Sequence, residues 1–396
     1  MKKTSLHATV LALAATLLLG AAAHAADLPK ATQKALAKLK IDASVMNGLD
    51  AELNVPKAWI DGAAKEEPVV ILGTWGNRGF RKMTAAFQER YPTVKLNYHR
   101  TGTTGRGMKV LIALREGRVV ADVLTAIADA YLQFDKMKAL ADLRELPGFK
   151  NVSKDYAAAD GTWAAHKLSF RCMSYNTNKV KKADLPKTWD DLLTNTHWRD
   201  GTLALSSHAS AWLLPLWGGK GEEWGANFTR RLFTEVRPQQ RKEGMTATTS
   251  LTVAGEFHAN IPAPEWRVKG YVEKGAPIGY HCPEPVPMTL SQIVMLEKAA
   301  NKNGAKVFVN WMLSREGQLL QYADSYAVPV HKALQSDKFV PFADTVLGKA
   351  HIVRDDTLLG GEMHKRMLKV WDSYWTSPVG KSRKKGKKGK KRKKKE

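Results

Sequence analysis

Val69-Val70-Ile71-Leu72, followed by Gly73-Thr74-Trp75-Gly76-Asn77-Arg78-Gly79, is the stretch on which the fold reading turns. Four consecutive β-branched or aliphatic residues without polar alternation fit a strand covered on both faces. The glycine-bearing loop then gives way to Phe80–Arg90, where Phe80, Met83 and Phe87 share one helical face. Val94–Tyr98 alternates as a second strand, Gly102–Gly105 is a turn, Met108–Glu116 is a second helix and Ala121–Leu124 a third strand. Strand, helix, strand, helix, strand predicts a parallel sheet covered by helices.

Downstream, Lys167–Asn176 reads as a strand leaving this first lobe. Trp189–Leu193 starts a new helix, Thr202–Leu205 is a new strand, and Pro277–His281 reads as the strand coming back. Leu296–Leu313 is helical, with Ala300, Val307, Phe308 and Trp311 as core candidates. A chain that leaves one lobe, builds a second and returns makes a hinge from its two crossings. Upstream, Asp27–Glu67 is a helical lead-in with a stripe at Leu36, Leu39 and Ile41 and a further helix starting at Pro56. The expected organisation is residues 1–25 signal peptide, 26–66 helical N-terminal extension, 67–172 and 283–335 lobe 1, 173–282 and 336–380 lobe 2, and 381–396 tail.

The ends carry their own signals. Lys2 and Lys3 precede an apolar run from Val10 to Leu19, and Ala23-His24-Ala25 is a small-x-small cleavage pattern that makes Ala26 the first mature residue. This reads as a secretory signal, too short to serve as a good membrane span. It predicts a protein exported to the periplasm. At the other end, residues 381–396 hold twelve Lys or Arg and one Glu, a large part of the chain's net charge of +24. Such a segment buries no apolar surface and is expected to be disordered. It suits an anionic membrane surface, with a solvated tail lacking any partner as the alternative. The high overall charge is therefore no argument for a nucleic-acid-binding fold, and no specific nucleic-acid partner is expected.

The residues also resemble a known family, the bacterial extracellular solute-binding proteins of the iron(III)-type cluster that serve ABC importers. The resemblance rests on Val69–Leu72 with its loop, Ala86-Phe87-Gln88-Glu89-Arg90-Tyr91-Pro92, Ala121-Asp122-Val123 and Tyr175-Asn176-Thr177. Leu185-Pro186-Lys187-Thr188-Trp189-Asp190-Asp191-Leu192, Ala254-Gly255-Glu256 and Val307–Gln318 extend it in the same order. It implies an α/β, type II periplasmic binding protein fold: two α/β lobes joined by a β-strand hinge, ligand in the cleft, and no covalent chemistry. It further implies a monomeric receptor that closes on a small-molecule ligand and delivers it to the membrane subunits of an ABC transporter. One departure matters. Ferric binders of this cluster carry adjacent tyrosines after the Gly-Glu element, and phenolate oxygen suits a hard ferric ion. Here the stretch is Gly255-Glu256-Phe257-His258-Ala259-Asn260-Ile261-Pro262-Ala263-Pro264-Glu265-Trp266, without a tyrosine pair. The ferric ligands do not carry over; His258 and Glu265 could bind a metal, but their spacing matches no strong metal pattern, so the stretch reads as a solvated loop and no cofactor or metal set is expected.

In open α/β lobes ligands sit beyond the carboxyl ends of the strands. The candidates are Thr74, Trp75, Asn77 and Arg78 after the first strand and Thr103, Thr104 and Arg106 after the second. Ser206, Ser207 and His208 after a second-lobe strand face them, with Thr248 further on. These loops carry Arg78, Arg106 and His208 and no acidic residue, which favours a small anionic or polar ligand, or a metal chelate. The same hydroxyls and glycines also serve as ordinary caps and turns. Two other readings stay open: direct iron(III) binding by non-tyrosine ligands, and a surface-adhesion or scaffold protein acting through the polybasic tail. An enzyme is not expected, since neighbouring Ser206, Ser207 and His208 form no triad and no Gly-x-Ser-x-Gly or P-loop is present. Cys172 and Cys282 are the only cysteines. In the family fold the crossovers run side by side, so a disulfide between them is implied, with two buried thiols as the alternative.

Overall fold

A strand of thirteen residues shared between two sheets organises the molecule. The structure is a computed structural model that describes residues 28–354 and 358–375. The signal peptide and the lysine-rich tail read from the sequence lie outside the described residues. The strands are β1 (Val69–Gly73), β2 (Leu96–Arg100), β3 (Val123–Thr125), β4 (Ala164–Asn176), β5 (Leu203–Ser206), β6 (Gln239–Arg241), β7 (Ala259–Pro264), β8 (Ile278–His281), β9 (Val286–Met295) and β10 (His351–Arg354). Their order is β2-β1-β3-β9-β4-β7-β5-β6, with β10 on β9 and β8 on β4. β1 pairs in parallel with β2 and β3, and β9 runs antiparallel to β3. The first half of β4, Ala164–Phe170, pairs with β9. Its second half pairs with β7 from Arg171 and with β8 from Met173. Register shifts between Ala165 and Lys167 and between Cys172 and Ser174 bracket the segment where the strand changes partners. This is the two-lobed α/β architecture.

Each lobe has its own core. The first gathers Val69, Ile71, Phe87, Val123, Phe134, Phe308 and Trp311, and extends under the crossover to Cys172, Tyr280 and Cys282. The second is built on tryptophan: Trp189, Trp198, Trp212 and Trp217, joined by Trp371 from the C-terminal helix Glu362–Tyr374. A buried ring of this size removes about 200 Å² from water, which at ~25 cal/mol per Å² contributes about 5 kcal/mol before entropy. The N-terminal helices form a third, smaller cluster with Leu319, Tyr322 and Phe339. Buried carboxylates fasten them: Thr32 donates to Glu316 at 2.6 Å, and Arg315 pairs with Glu52 at 2.7 Å.

Several elements differ from the sequence reading, each for a local reason. The Phe80–Arg90 helix is two, Asn77–Met83 and Ala85–Arg90, because the Thr84 hydroxyl donates to the Phe80 carbonyl and the turn breaks there. The Leu296–Leu313 helix begins only at Lys302. Buried Asp122 accepts from both the backbone and the side chain of Asn301 at 3.0 and 2.9 Å and fixes the chain just before it. The returning strand is β9, while β8 (the expected return) stays in the second lobe on β4. The supposed loop Gly255–Trp266 is mostly β7, followed by the helix Glu265–Val272. Val346, placed by the sequence reading in the second lobe, is in the first core, and the chain makes a third passage through β10 before Leu359 enters the second core.

Cys172 and Cys282 are bonded, with Cα atoms 4.9 Å apart across 110 residues of chain. The bond ties β4, the outgoing crossover, to the residue just past β8 and not to the returning crossover β9. In the chain-entropy model a loop of this length stabilises by about 4–5 kcal/mol. Replacing both cysteines by serine is therefore expected to lower the melting temperature markedly under oxidising conditions, measured by calorimetry. An unchanged melting temperature would show that the bond adds nothing to the fold.

Candidate functional site

Lys167-Leu168-Ser169-Phe170-Arg171 alternates polar and apolar through the shared part of β4. Successive side chains of a strand point to opposite faces. Leu168 and Phe170 therefore share one face with their partners Leu290 and Met288 on β9, while Lys167 and Ser169 share the other with Ser291 and Thr289. Arg171 follows on that polar face. Its guanidinium is 15% exposed and donates to Glu265 at 2.7 Å, and the Glu265 side chain is wholly buried. Burial pushes the Glu265 carboxyl above its ordinary pKa, with Arg171 acting in the opposite direction.

The polar face is short of negative charge. Burial, followed by the Arg171 guanidinium, lowers Lys167 to about 8, and Arg106 adds to the depression while Glu265 partly offsets it. His208 is lowered by partial desolvation and then by Arg171. Arg106 of the first lobe and Arg171 of the crossover thus both act on Lys167, and Arg171 reaches His208 of the second lobe. The Glu265 carboxylate is bonded to Arg171 among them.

The expected ligand residues divide in this setting. Thr74 is half-buried on the loop that leaves β1, Asn77 and Arg78 are exposed in the first turn of the helix Asn77–Met83, and Thr104 is exposed after β2. Thr103 opens the short turn Thr103–Arg106. Ser207 and His208 are exposed at the end of β5, and the buried Ser206 hydroxyl bonds His208 Nδ1 at 3.0 Å. Three side chains have internal partners instead of an open face. The Trp75 ring is 8% exposed, packs against Phe80, Tyr98 and His166, and donates to Gln321 at 3.0 Å. Arg106 donates to the carbonyls of Ala126 and Thr101 at 2.6 and 2.8 Å, tying the loops after β2 and β3 together. Thr248 is buried in its helix and donates to the Gly244 carbonyl at 2.9 Å. Trp75 and Thr248 therefore serve packing, and Arg106 contributes its charge but not a free donor fork. Lys167 and Arg171 are not among the ligand residues expected from the sequence. The signal was present as the period-two alternation of a strand already recognised as a crossover.

The Ser206–His208 contact does not resemble a nucleophile and its base. The charge acting on His208 is a guanidinium, which disfavours the imidazolium that a general base must become.

The model of the family described as bacterial extracellular solute-binding protein matches residues 82–345. Among solved structures, the chain is similar to iron-bound HitA from Pseudomonas aeruginosa, at 20% identity and a TM-score of 0.63 over 78% of this chain and 99% of that one. It is similar also to the periplasmic binding protein AfuA from Actinobacillus pleuropneumoniae with fructose-6-phosphate bound, at 18% identity and a TM-score of 0.61 over 78% and 98%. A third is the apo ferric ion-binding protein A of Pasteurella haemolytica, at 13% identity and a TM-score of 0.64 over 78% and 97%. At these identities the likeness is one of fold. Among curated protein sequences none matches.

Removing one partner of a buried ion pair leaves the other charge uncompensated, at a cost of about 3–5 kcal/mol. Glu265→Ala is expected to destabilise the protein by that amount in urea unfolding. A loss below about 1 kcal/mol, the range of exposed pairs, would show that Arg171 is not desolvated at the hinge.

Proposed function

The chain belongs to the bacterial extracellular solute-binding proteins, and from that premise we propose that its cleft receives a small polyanion, a phosphate ester or a dicarboxylate, on the polar face of β4. The observation that carries this reading is the charge imbalance there. Arg171 and Arg106 both act on Lys167, and the carboxylate that acts with them is the buried Glu265. A ligand bringing two negative charges neutralises the excess. Ser169 and Thr289 stand beside the cations, and Arg78, Ser207 and His208 stand beyond the strand ends. Those strand ends belong to different lobes. A ligand that touches both favours the closed form by its difference in affinity for the two forms.

Fructose-6-phosphate in the AfuA relative is an anion of the proposed class, whereas HitA carries iron. A ferric reading is less well supplied. Tyr280 lies within electrostatic reach of Glu265 and Arg171, but burial raises its phenol well above the ordinary pKa, and its hydroxyl accepts from the Cys172 backbone at 3.2 Å. Tyr271 shares its hydroxyl with Ser250 and Arg267. Neither offers a free phenolate.

The protein then acts as the periplasmic receptor of an ABC importer, delivering the bound anion to the membrane subunits. The tail of residues 381–396 supports retention near anionic head groups, where each basic residue contributes about 1 kcal/mol. Its removal should release the protein from anionic vesicles at low salt and leave ligand affinity unchanged. Loss of ligand binding on that truncation would favour the scaffold reading.

The charge imbalance is testable by calorimetric titration with fructose-6-phosphate and inorganic phosphate. An anion favours the protonated Lys167, so affinity should fall as the pH rises past about 8, and it should also weaken below about pH 6, where the phosphate itself takes up a proton. Charge-assisted bonds are worth about 1.5–3 kcal/mol each, so Lys167→Met with Arg171→Met should weaken binding on the order of a hundredfold or more. Lys167→Met alone removes a desolvated cation, so it should also raise the melting temperature of the ligand-free protein at neutral pH. Affinity indifferent to both substitutions and to pH would place the ligand elsewhere.

A further inference from the structure

On the face of the second lobe away from the cleft, we propose that His197 and His258 form a binding site for a divalent late-transition-metal ion, copper(II) or zinc. β7 separates the two sites. Its last residue precedes Glu265 at the hinge, and His258 precedes its first. Six strand residues at about 3.3 Å each put roughly 20 Å between them. His197 lies in the turn that leads into the parallel neighbour β5, so both histidines sit at the starting edge of the sheet.

The pair is held from behind. Asn195 caps the turn, its Oδ1 accepting from the His197 backbone at 2.9 Å. The Thr202 hydroxyl donates to the His197 carbonyl at 2.8 Å, and the Thr202 carbonyl accepts from the His258 backbone at 2.8 Å. One threonine thus clamps both backbones, and Asn176 holds the far side of His258 by donating to its carbonyl at 2.8 Å. The ring centroids stand 5.0 Å apart at 39°. His197 Nε2 and His258 Nδ1 are both buried without a hydrogen-bond partner.

Two imidazole nitrogens on neighbouring rings are here both shielded from water and unpaired, whereas buried polar atoms are ordinarily satisfied. A metal ion resolves it. With metal–nitrogen bonds of about 2.0–2.1 Å and tetrahedral angles, two imidazoles on one ion have centroids roughly 5 Å apart. Imidazole suits copper and zinc among the divalent ions. Lys179 acts on His258 electrostatically. Lys179 is exposed and its opposition to a bound cation is screened. Among the described residues no group of three or more His, Cys, Asp or Glu is placed to hold an ion, so the two imidazoles are the protein's share of the ligand set.

Copper(II) titration of the tag-free mature chain, followed by electron paramagnetic resonance, tests the site. One equivalent should bind with hyperfine coupling to two imidazole nitrogens, and zinc should compete for it and raise the melting temperature. His197→Gln and His258→Gln should each weaken copper binding more than tenfold. Circular dichroism establishes that the variants fold, and phosphate or sugar-phosphate binding in the cleft should be untouched by metal. Copper binding that neither substitution alters, or no stoichiometric binding, overturns the proposal. If one variant fails to fold, the other and the imidazole coupling of the unaltered protein decide.

Discussion

A guanidinium held out of water on a strand that belongs to two sheets is the constraint from which the rest follows. Arg171 stands where β4 stops pairing with β9 and starts pairing with β7. A desolvated cation there requires a carboxylate, and Glu265 supplies it from the first turn of the helix after β7. The pair therefore joins the crossover to the second lobe at one point and fixes what faces the cleft. The same strand places Lys167 four residues earlier on the same face, so the hinge carries more positive charge than its one carboxylate balances.

The opposite face of the crossover is apolar and less completely filled. Leu168, Phe170, Met288 and Val328 line a cavity of about 350 Å³ beneath the strands, walled by Leu347 and His351. The two faces differ because a strand alternates, and the difference separates a polar face from an apolar underside continuous with the first core. The disulfide and the third passage through β10 add further ties around the same junction.

Much of the fold could be read from the chain. The run Val69–Leu72 is apolar on both faces because its strand is covered on both, and the helical and strand periods that follow it are strong. The returning crossover differs from the sequence reading because Ile278–His281 and Val286–Met295 are both strand-like, and only the tertiary pairing of the latter with the first half of β4 distinguishes them. The site was less legible. Arg78 and His208 lie where strand ends predict them, both exposed. Trp75 has the composition of a stacking residue, but Gln321, some 246 residues away in the chain, accepts its indole proton and draws the ring inside. Arg106 likewise looks like a free donor until the Ala126 carbonyl takes it. Partners so distant in sequence leave no local trace. The meeting of His197 with His258 is of the same kind, since only the parallel pairing of β5 and β7 brings those residues to one edge.

The crystal structure of the protein purified from its native periplasm without refolding tests the cleft assignment most directly. An anion bonded to Lys167 and Arg171, with lobe contacts from Arg78 on one side and Ser207 or His208 on the other, is the expected result. A ligand seated away from the β4 floor, or a metal ion bound in the cleft by residues other than these, would contradict it.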